Sequence, residues 1–266
     1  MAKEKRIKII YKEAYKFLEG VAGKPALKKQ LEYYYTCKPK FIKGVFKQMI
    51  ESLKNKQGYV NFIADINQMD PILLGFKPKK VFEKFNDSWK KLFLEFKKKF
   101  GNKYKMNINN KRNAWVMYSR GVLSSSKFLS NFNSIEEFDK FVKSFFHNEF
   151  TIASLPMLLE KEIFGFGFPL ACDFLKELGY VNYGKPDVHL KDIFMELGLV
   201  ESRDDYEVFK EIVRIGLIVN EDPIIVDKIF WLIGSGNFYK SNLKIQGSKK
   251  EFLKYIKNKL KLILKG

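Results

Sequence analysis

The chain has 266 residues, of which 46% are hydrophobic, enough for one large globular domain or for two lobes that share a core. Its 49 Lys and Arg against 30 Asp and Glu leave a net charge of +19, which attracts polyanions. No apolar run approaches the roughly 20 residues of a membrane span. Two widely spaced cysteines, Cys37 and Cys172, exclude a disulfide framework.

The positive charge has three interpretations, namely nucleic-acid binding, attraction to an anionic membrane surface, and a lysine-rich proteome without functional meaning. The first residues hold no apolar core of signal-peptide length, so we expect a cytoplasmic protein. Its two histidines, His147 and His189, leave little room for a histidine-based metal site, and no metal is predicted.

In chain order, the N-terminal part shows helical periodicity. Residues up to about 40 form basic helices, and Tyr33–Tyr35 is an aromatic cluster for which packing is favoured over stacking on bases. Helices are predicted from Phe41 to Lys54 and from Val81 to Phe100. The polar, Asn-rich segment Gly101–Lys111 is the best candidate for a linker.

The C-terminal part continues in the same way. A helix or a pair of helices is predicted over Ala114–Leu129, and Ser134 with Glu137 forms a capping box for the next helix. Asp222-Pro223 opens another helix, and Glu251–Lys265 is a basic amphipathic helix. Because no alternating strand pattern appears, the chain is predicted to be all-α.

The central stretch, Leu155–Leu199, predicts helix, tight turn, helix, loop and helix. The turn spans Ile163–Gly167, where two glycines permit backbone conformations that other residues avoid. Pro169 suits the start of the second helix and Gly179 ends it. Asp187 follows a proline at the start of the third helix, which is a typical N-cap position.

The motifs Ile163-Phe164-Gly165-Phe166-Gly167 and Pro186-Asp187-Val188-His189, with a small Ala171 between them, resemble those of the helix-hairpin-helix DNA glycosylases. That superfamily includes endonuclease III, MutY and the 8-oxoguanine glycosylases. Asp187 falls 20 residues after Gly167, about the spacing of the family. The resemblance implies an all-α, two-lobed fold, with domains at 1–110, 111–240 (hairpin 155–179) and 241–266.

Two features depart from the family. Members that also cleave the DNA strand have a Lys where this chain has Pro169, and Lys176 lies about two turns further along the helix. Lys185 is the only other amine nearby in sequence. Many members bind an iron–sulfur cluster through four cysteines, and this chain has two. The sequence therefore predicts an enzyme without a cofactor and without lyase activity.

The resemblance implies that Asp187 is the catalytic carboxylate. A helix N-terminus favours negative charge, so we expect this carboxylate to stay ionised. It would stabilise the cationic sugar of the transition state and activate a water molecule. An N-cap role alone is the alternative for Asp187, and His189 is expected to be chiefly structural.

The resemblance also implies DNA contacts from Gly165, Phe166, Gly167, Phe168 and Lys185. Candidates for the walls of a base pocket are Phe168, Pro169, Trp115 and Tyr118, each of which, taken singly, suits a protein core better.

The partner implied is duplex DNA with a damaged or modified base, bound by a monomer that associates with the nucleoid through DNA. The enzyme would leave an abasic site, in base-excision repair or in defence against modified phage DNA. The alternative is a helix-hairpin-helix protein that binds DNA without catalysis, and a membrane-surface protein is a distant third.

Overall fold

A computed structural model describes residues 3–36, 39–55 and 59–265, and Cys37 lies outside these residues. The described chain is predominantly helical. Its α-helices in order are α1 (Lys3–Ala22), α2 (Lys24–Glu32), α3 (Ile42–Lys54), α4 (Pro78–Phe85), α5 (Trp89–Phe100), α6 (Ala114–Leu129), α7 (Ile135–Lys143), α8 (Glu149–Glu162), α9 (Phe168–Glu177), α10 (Val188–Glu196), α11 (Asp205–Val219), α12 (Pro223–Ser235) and α13 (Ser248–Lys265).

Short elements join these helices. Four 3₁₀ helices span Tyr33–Thr36, Tyr59–Asn61, Ile66–Met69 and Leu74–Phe76. Two antiparallel strands, β1 (Asn237–Phe238) and β2 (Leu243–Lys244), form a small hairpin that the sequence did not predict. The all-α prediction is otherwise confirmed. In the part of the chain that is described, every helix is too short or too polar to cross a bilayer.

The chain divides into two compact units, each built from separate segments. Unit 1 comprises Met1–Cys37, Asn148–Ala153 and Leu175–Gly266, and unit 2 comprises Lys38–His147 and Ser154–Phe174. The sequence-based division at residues 110 and 240 does not coincide with these units. The N-terminal helices share one core with the C-terminal helices, which no local signal reveals.

Unit 1 is organised around α12, most of which is apolar. Helices α1, α10, α11 and α13 pack on it. Ile224, Val226, Ile229, Phe230 and Ile233 of α12 are fully buried. Gly234 allows α12 to approach α10 closely, because a side chain at this position would overlap with His189 of α10. This packing supports the structural role expected for His189.

Unit 2 is organised around α6, on which α3, α4 and α5 pack. Its core is unusually aromatic. The largest fully buried side chains of this unit are Phe46, Phe93, Phe96, Trp115, Tyr118, Phe138 and Phe174.

Two predicted boundaries in unit 2 are wrong. The helix predicted over Val81–Phe100 is two helices, because Asn86 and Asp87 have φ values of 45° and 55° that break the helical path. Gly101–Lys111 lies inside unit 2 instead of linking domains. Its loop is held by side-chain turns, in which Asn107 Oδ1 accepts from Asn109 N and Asn110 Oδ1 accepts from Arg112 N.

The predicted cap of α7 is confirmed. Glu137 N donates to Ser134 Oγ, and Glu137 Oε2 accepts from Asn133 N at 2.8 Å. In a capping box the Glu side chain accepts from the backbone N–H of the cap residue, whereas here it accepts from Asn133, the residue before Ser134.

Candidate functional site

The central stretch forms a helix, a five-residue turn and a second helix. Its first helix, α8, begins at Glu149 instead of Leu155, because Asn148 Oδ1 caps it by accepting from the N–H groups of Phe150 and Thr151. Pro156 lies inside this helix. The turn lies in unit 2, whereas Asp187 lies in unit 1.

Three residues of α6 hold the turn through Phe164. Ser124 Oγ accepts a hydrogen bond from Phe164 N at 2.8 Å, and the guanidinium of Arg120 stacks 3.6 Å from the centroid of the Phe164 ring. A Cβ atom on Gly121 would lie 2.8 Å from Phe164 O. Gly121 is therefore needed for the turn to approach α6 so closely.

The two glycines of the turn serve different purposes. Gly165 has a φ of 96°, which only glycine adopts without strain. Gly167 has no such constraint, and a Cβ atom there would meet nothing within 4 Å. Its carbonyl accepts from Leu170 N and Ala171 N, so Gly167 opens α9. The space beside Gly167 thus adjoins a helix N-terminus, where anions bind favourably.

Four aromatic side chains proposed from sequence are buried. Phe166 and Phe168 are each 6% exposed, and Phe166 packs on Phe174 with ring centroids 5.7 Å apart. Trp115 and Tyr118 are at most 2% exposed and contact Phe96 in the core of unit 2. Burial raises the pKa of Tyr118 well above its ordinary value.

These positions narrow the sequence-based assignments. The rings of Phe166 and Phe168 belong to the core, so any DNA contact at these residues would come from the backbone. The Tyr118 hydroxyl is buried and finds no partner among the described residues, which identifies it as a core residue. Pro169 is half-buried at the start of α9.

Asp187 caps α10, as its position after Pro186 predicts. Its Oδ1 atom accepts from His189 N at 2.9 Å and from Leu190 N at 3.1 Å. Both of these hydrogen bonds go to the same oxygen, which orients the carboxylate.

The helix N-terminus is only one of several influences on the pKa of Asp187. Burial raises the pKa of Asp187 above its ordinary 3.8, and the negative charge of Asp227 raises it further. Three influences lower the pKa of Asp187 and offset part of this rise. They are the hydrogen bond from Leu190 N and the electrostatic effects of His189 and Lys176. A carboxylate with a raised pKa accepts a proton more readily, which suits a general base.

A buried ion pair lies beside Asp187. Lys176 Nζ contacts Asp227 Oδ2 at 3.0 Å, and the two side chains are 6% and 1% exposed. The backbone N–H of Lys185 donates to the same oxygen at 2.9 Å. Asp227 thus ties α9, the loop before Asp187 and α12 together. A Cβ atom on Gly184 would lie 3.0 Å from Asp227 Cβ, so this loop approaches α12 closely.

Sequence reasoning missed Lys176 and Asp227 as a pair. The position of Lys176 along α9, too far from Pro169, excluded it as a nucleophile, and no local pattern singled out Asp227. The available signal was an isolated acidic residue within the apolar segment Ile224–Ile233, since a buried charge requires a partner.

Two lysines of unit 1 lie over aromatic rings, one in α12 and one in the loop between β1 and β2. Lys228 Nζ lies 4.3 Å from the ring centroid of Trp231, and Lys240 Nζ lies 3.1 Å from that of Tyr33. The buried Gln30 accepts from Lys240 N through Oε1, while its Nε2 has no partner among the described residues. The contact between Lys240 and Tyr33 agrees with the packing role favoured for the Tyr33–Tyr35 cluster.

Neither family models, nor curated proteins, nor solved structures match this chain. Among the described residues, no cluster of three or more His, Cys, Asp or Glu could hold a metal ion.

Proposed function

We propose that this protein is a monofunctional DNA glycosylase of the helix-hairpin-helix type. The observation that supports this proposal best is the environment of the Asp187 carboxylate. Its carboxylate is half-buried, oriented through one oxygen, and made more basic by Asp227. The net charge of +19 supports DNA as the partner.

In the proposed reaction, the protein binds duplex DNA as a monomer and extrudes one nucleotide from the stack. Asp187 stabilises the positive charge that develops on the sugar as the glycosidic bond breaks. It then accepts a proton from the water molecule that attacks the anomeric carbon. The base departs with the bonding electron pair and takes up one proton from solvent, and Asp187 returns its own proton to solvent. The products are a free base and an intact strand with an abasic site.

The direct test uses the whole protein and a panel of duplex DNAs that contain damaged or naturally modified bases. Mass spectrometry of the soluble fraction should detect one released base or a small related set. Release from no member of the panel, with DNA binding intact, would favour the alternative of a non-enzymatic DNA-binding protein.

The hairpin is proposed to contact a phosphate beside Gly167. The Gly167→Glu variant should leave the fold unchanged because its side chain enters open space. We expect it to weaken binding to a duplex with a stable abasic analogue by about tenfold, or roughly 1.4 kcal/mol, through repulsion. Fluorescence anisotropy over a series of salt concentrations measures this.

The matched control is Gly20→Glu, which makes the same change of charge at another glycine where a Cβ atom would meet nothing within 4 Å. Equal weakening by both variants would mean that net charge, and not the hairpin, determines affinity.

We expect no covalent intermediate. Pro169 has no nucleophile, and the amine of Lys176 is engaged in a buried ion pair with Asp227. Incubation with substrate DNA and borohydride should therefore trap no protein–DNA adduct, and the strand should break only after heat or alkali. An adduct that disappears in Lys185→Ala or Lys176→Met would show instead that this amine forms a Schiff base.

A further inference from the structure

Unit 2 contains a cavity of about 720 Å³. It lies between the 3₁₀ helix Tyr59–Asn61 and the loop that precedes α6. Pockets for small organic molecules commonly fall between about 300 and 1,000 Å³, so the space suits a single nucleotide. Every residue that lines it belongs to unit 2, whereas Asp187 belongs to unit 1.

Aromatic side chains line this cavity. Tyr59, Phe62, Tyr104 and Trp115 contribute to its wall, and Phe62 is 60% exposed. The rings of Tyr104 and Trp115 lie 5.5 Å apart between centroids. An exposed ring beside a pair of packed rings offers a platform on which a planar base can stack.

Cations line the same cavity. Lys103, Lys105 and Arg112 contribute to its wall, and the described residues that line it include no Asp or Glu. None of the three cations pairs with a carboxylate in the described part of the chain. Unit 2 as a whole has 24 Lys and Arg against 12 Asp and Glu, which is +12 of the total +19. This charge favours an anionic ligand such as a phosphate.

The cavity is also pre-organised. Asn113 holds the loop, since its Nδ2 donates to Lys105 O and its Oδ1 accepts from Trp115 N. Trp115 Nε1 is buried and finds no acceptor among residues 3–36, 39–55 and 59–265. An unpaired buried donor of this kind costs about 1–3 kcal/mol.

We infer that this cavity binds one unstacked nucleotide of a single-stranded DNA segment. The base stacks on Phe62, and the flanking phosphates contact Lys103, Lys105 and Arg112. A duplex without unpaired bases does not fit, because its bases are already stacked. The inference goes beyond the proposed glycosylase and does not depend on it, since binding here requires no chemistry at Asp187.

The test measures the Kd of the whole protein for a labelled oligothymidylate of twelve nucleotides by fluorescence anisotropy. The Phe62→Ala variant removes an exposed ring and should raise the Kd by about 5- to 150-fold, the range of stacking on one base. Lys105→Ala should reduce the slope of log affinity against log salt by about one. Phe150→Ala, which removes a ring that is 57% exposed in unit 1, should leave the Kd unchanged.

Four results would overturn the inference. An unchanged Kd for Phe62→Ala, or an equal loss for Phe150→Ala, would show that the strand does not stack in this cavity. An equal loss on a fully paired duplex would exclude an unstacked nucleotide. Competition by thymidine monophosphate at the same concentration as the strand would assign the cavity to free nucleotides.

Discussion

The Asp187→Asn variant is expected to release base about 10² to 10⁴ times more slowly than the unaltered protein, which is the usual contribution of a general base. Asparagine is as good an N-cap as aspartate, so the hydrogen bonds to His189 N and Leu190 N can persist. The change therefore removes the charge and little else. Single-turnover release of the base, measured with saturating protein, isolates the chemical step.

The chain offers a matched control in Asp204→Asn. Asp204 caps α11 with the same geometry, since its Oδ1 accepts from Tyr206 N at 3.0 Å and from Glu207 N at 3.1 Å. This variant should retain the full rate and the thermal stability. A normal rate in Asp187→Asn, with the same thermal stability, would contradict the assignment of Asp187 and leave only its capping role.

The pH profile provides a second readout for Asp187. The general base must be deprotonated, so activity falls on the acid side as pH drops through its pKa. Because burial and Asp227 raise that pKa, the acid limb should lie above the ordinary range of an aspartate. Asp227→Asn removes one negative charge and should move the limb to lower pH. A limb that does not move would show that another group controls it.

The largest effect on stability is expected at the buried ion pair. Lys176→Met leaves the carboxylate of Asp227 buried without its cation, and should lower the free energy of unfolding by about 3–5 kcal/mol. Urea unfolding monitored by circular dichroism measures this loss. Lys257→Met is the control, because the pair between Lys257 and Glu196 is about half exposed and screened by solvent, so its loss should change the free energy of unfolding little.

The double variant Lys176→Met/Asp227→Asn tests the physical reason. Both charges are then absent, and the amide oxygen of Asn can still accept from Lys185 N. It should therefore be more stable than Lys176→Met alone. A double variant as unstable as the single one would show that packing of the lysine stem, and not an uncompensated charge, accounts for the loss.

The elements that sequence alone determined are those with short-range signals. The bounds of α6, the cap of α7 by Ser134 and the cap of α10 by Asp187 were predicted correctly, because each depends on residues within one helical turn. The turn at Gly165 was predicted for the same reason, since its φ of 96° is a local requirement. The predominance of helix followed from the spacing of apolar residues.

Tertiary structure alone decided which segments share a core and what surrounds the candidate site. Asp227 lies 51 residues from Lys176, and no local pattern links the two. The pKa of Asp187 depends on its burial and on that distant carboxylate, and its position at a helix N-terminus revealed neither influence. Trp115 and Tyr118 show the same limit, since an aromatic residue on a helix face suits a core and a pocket equally until its neighbours are known.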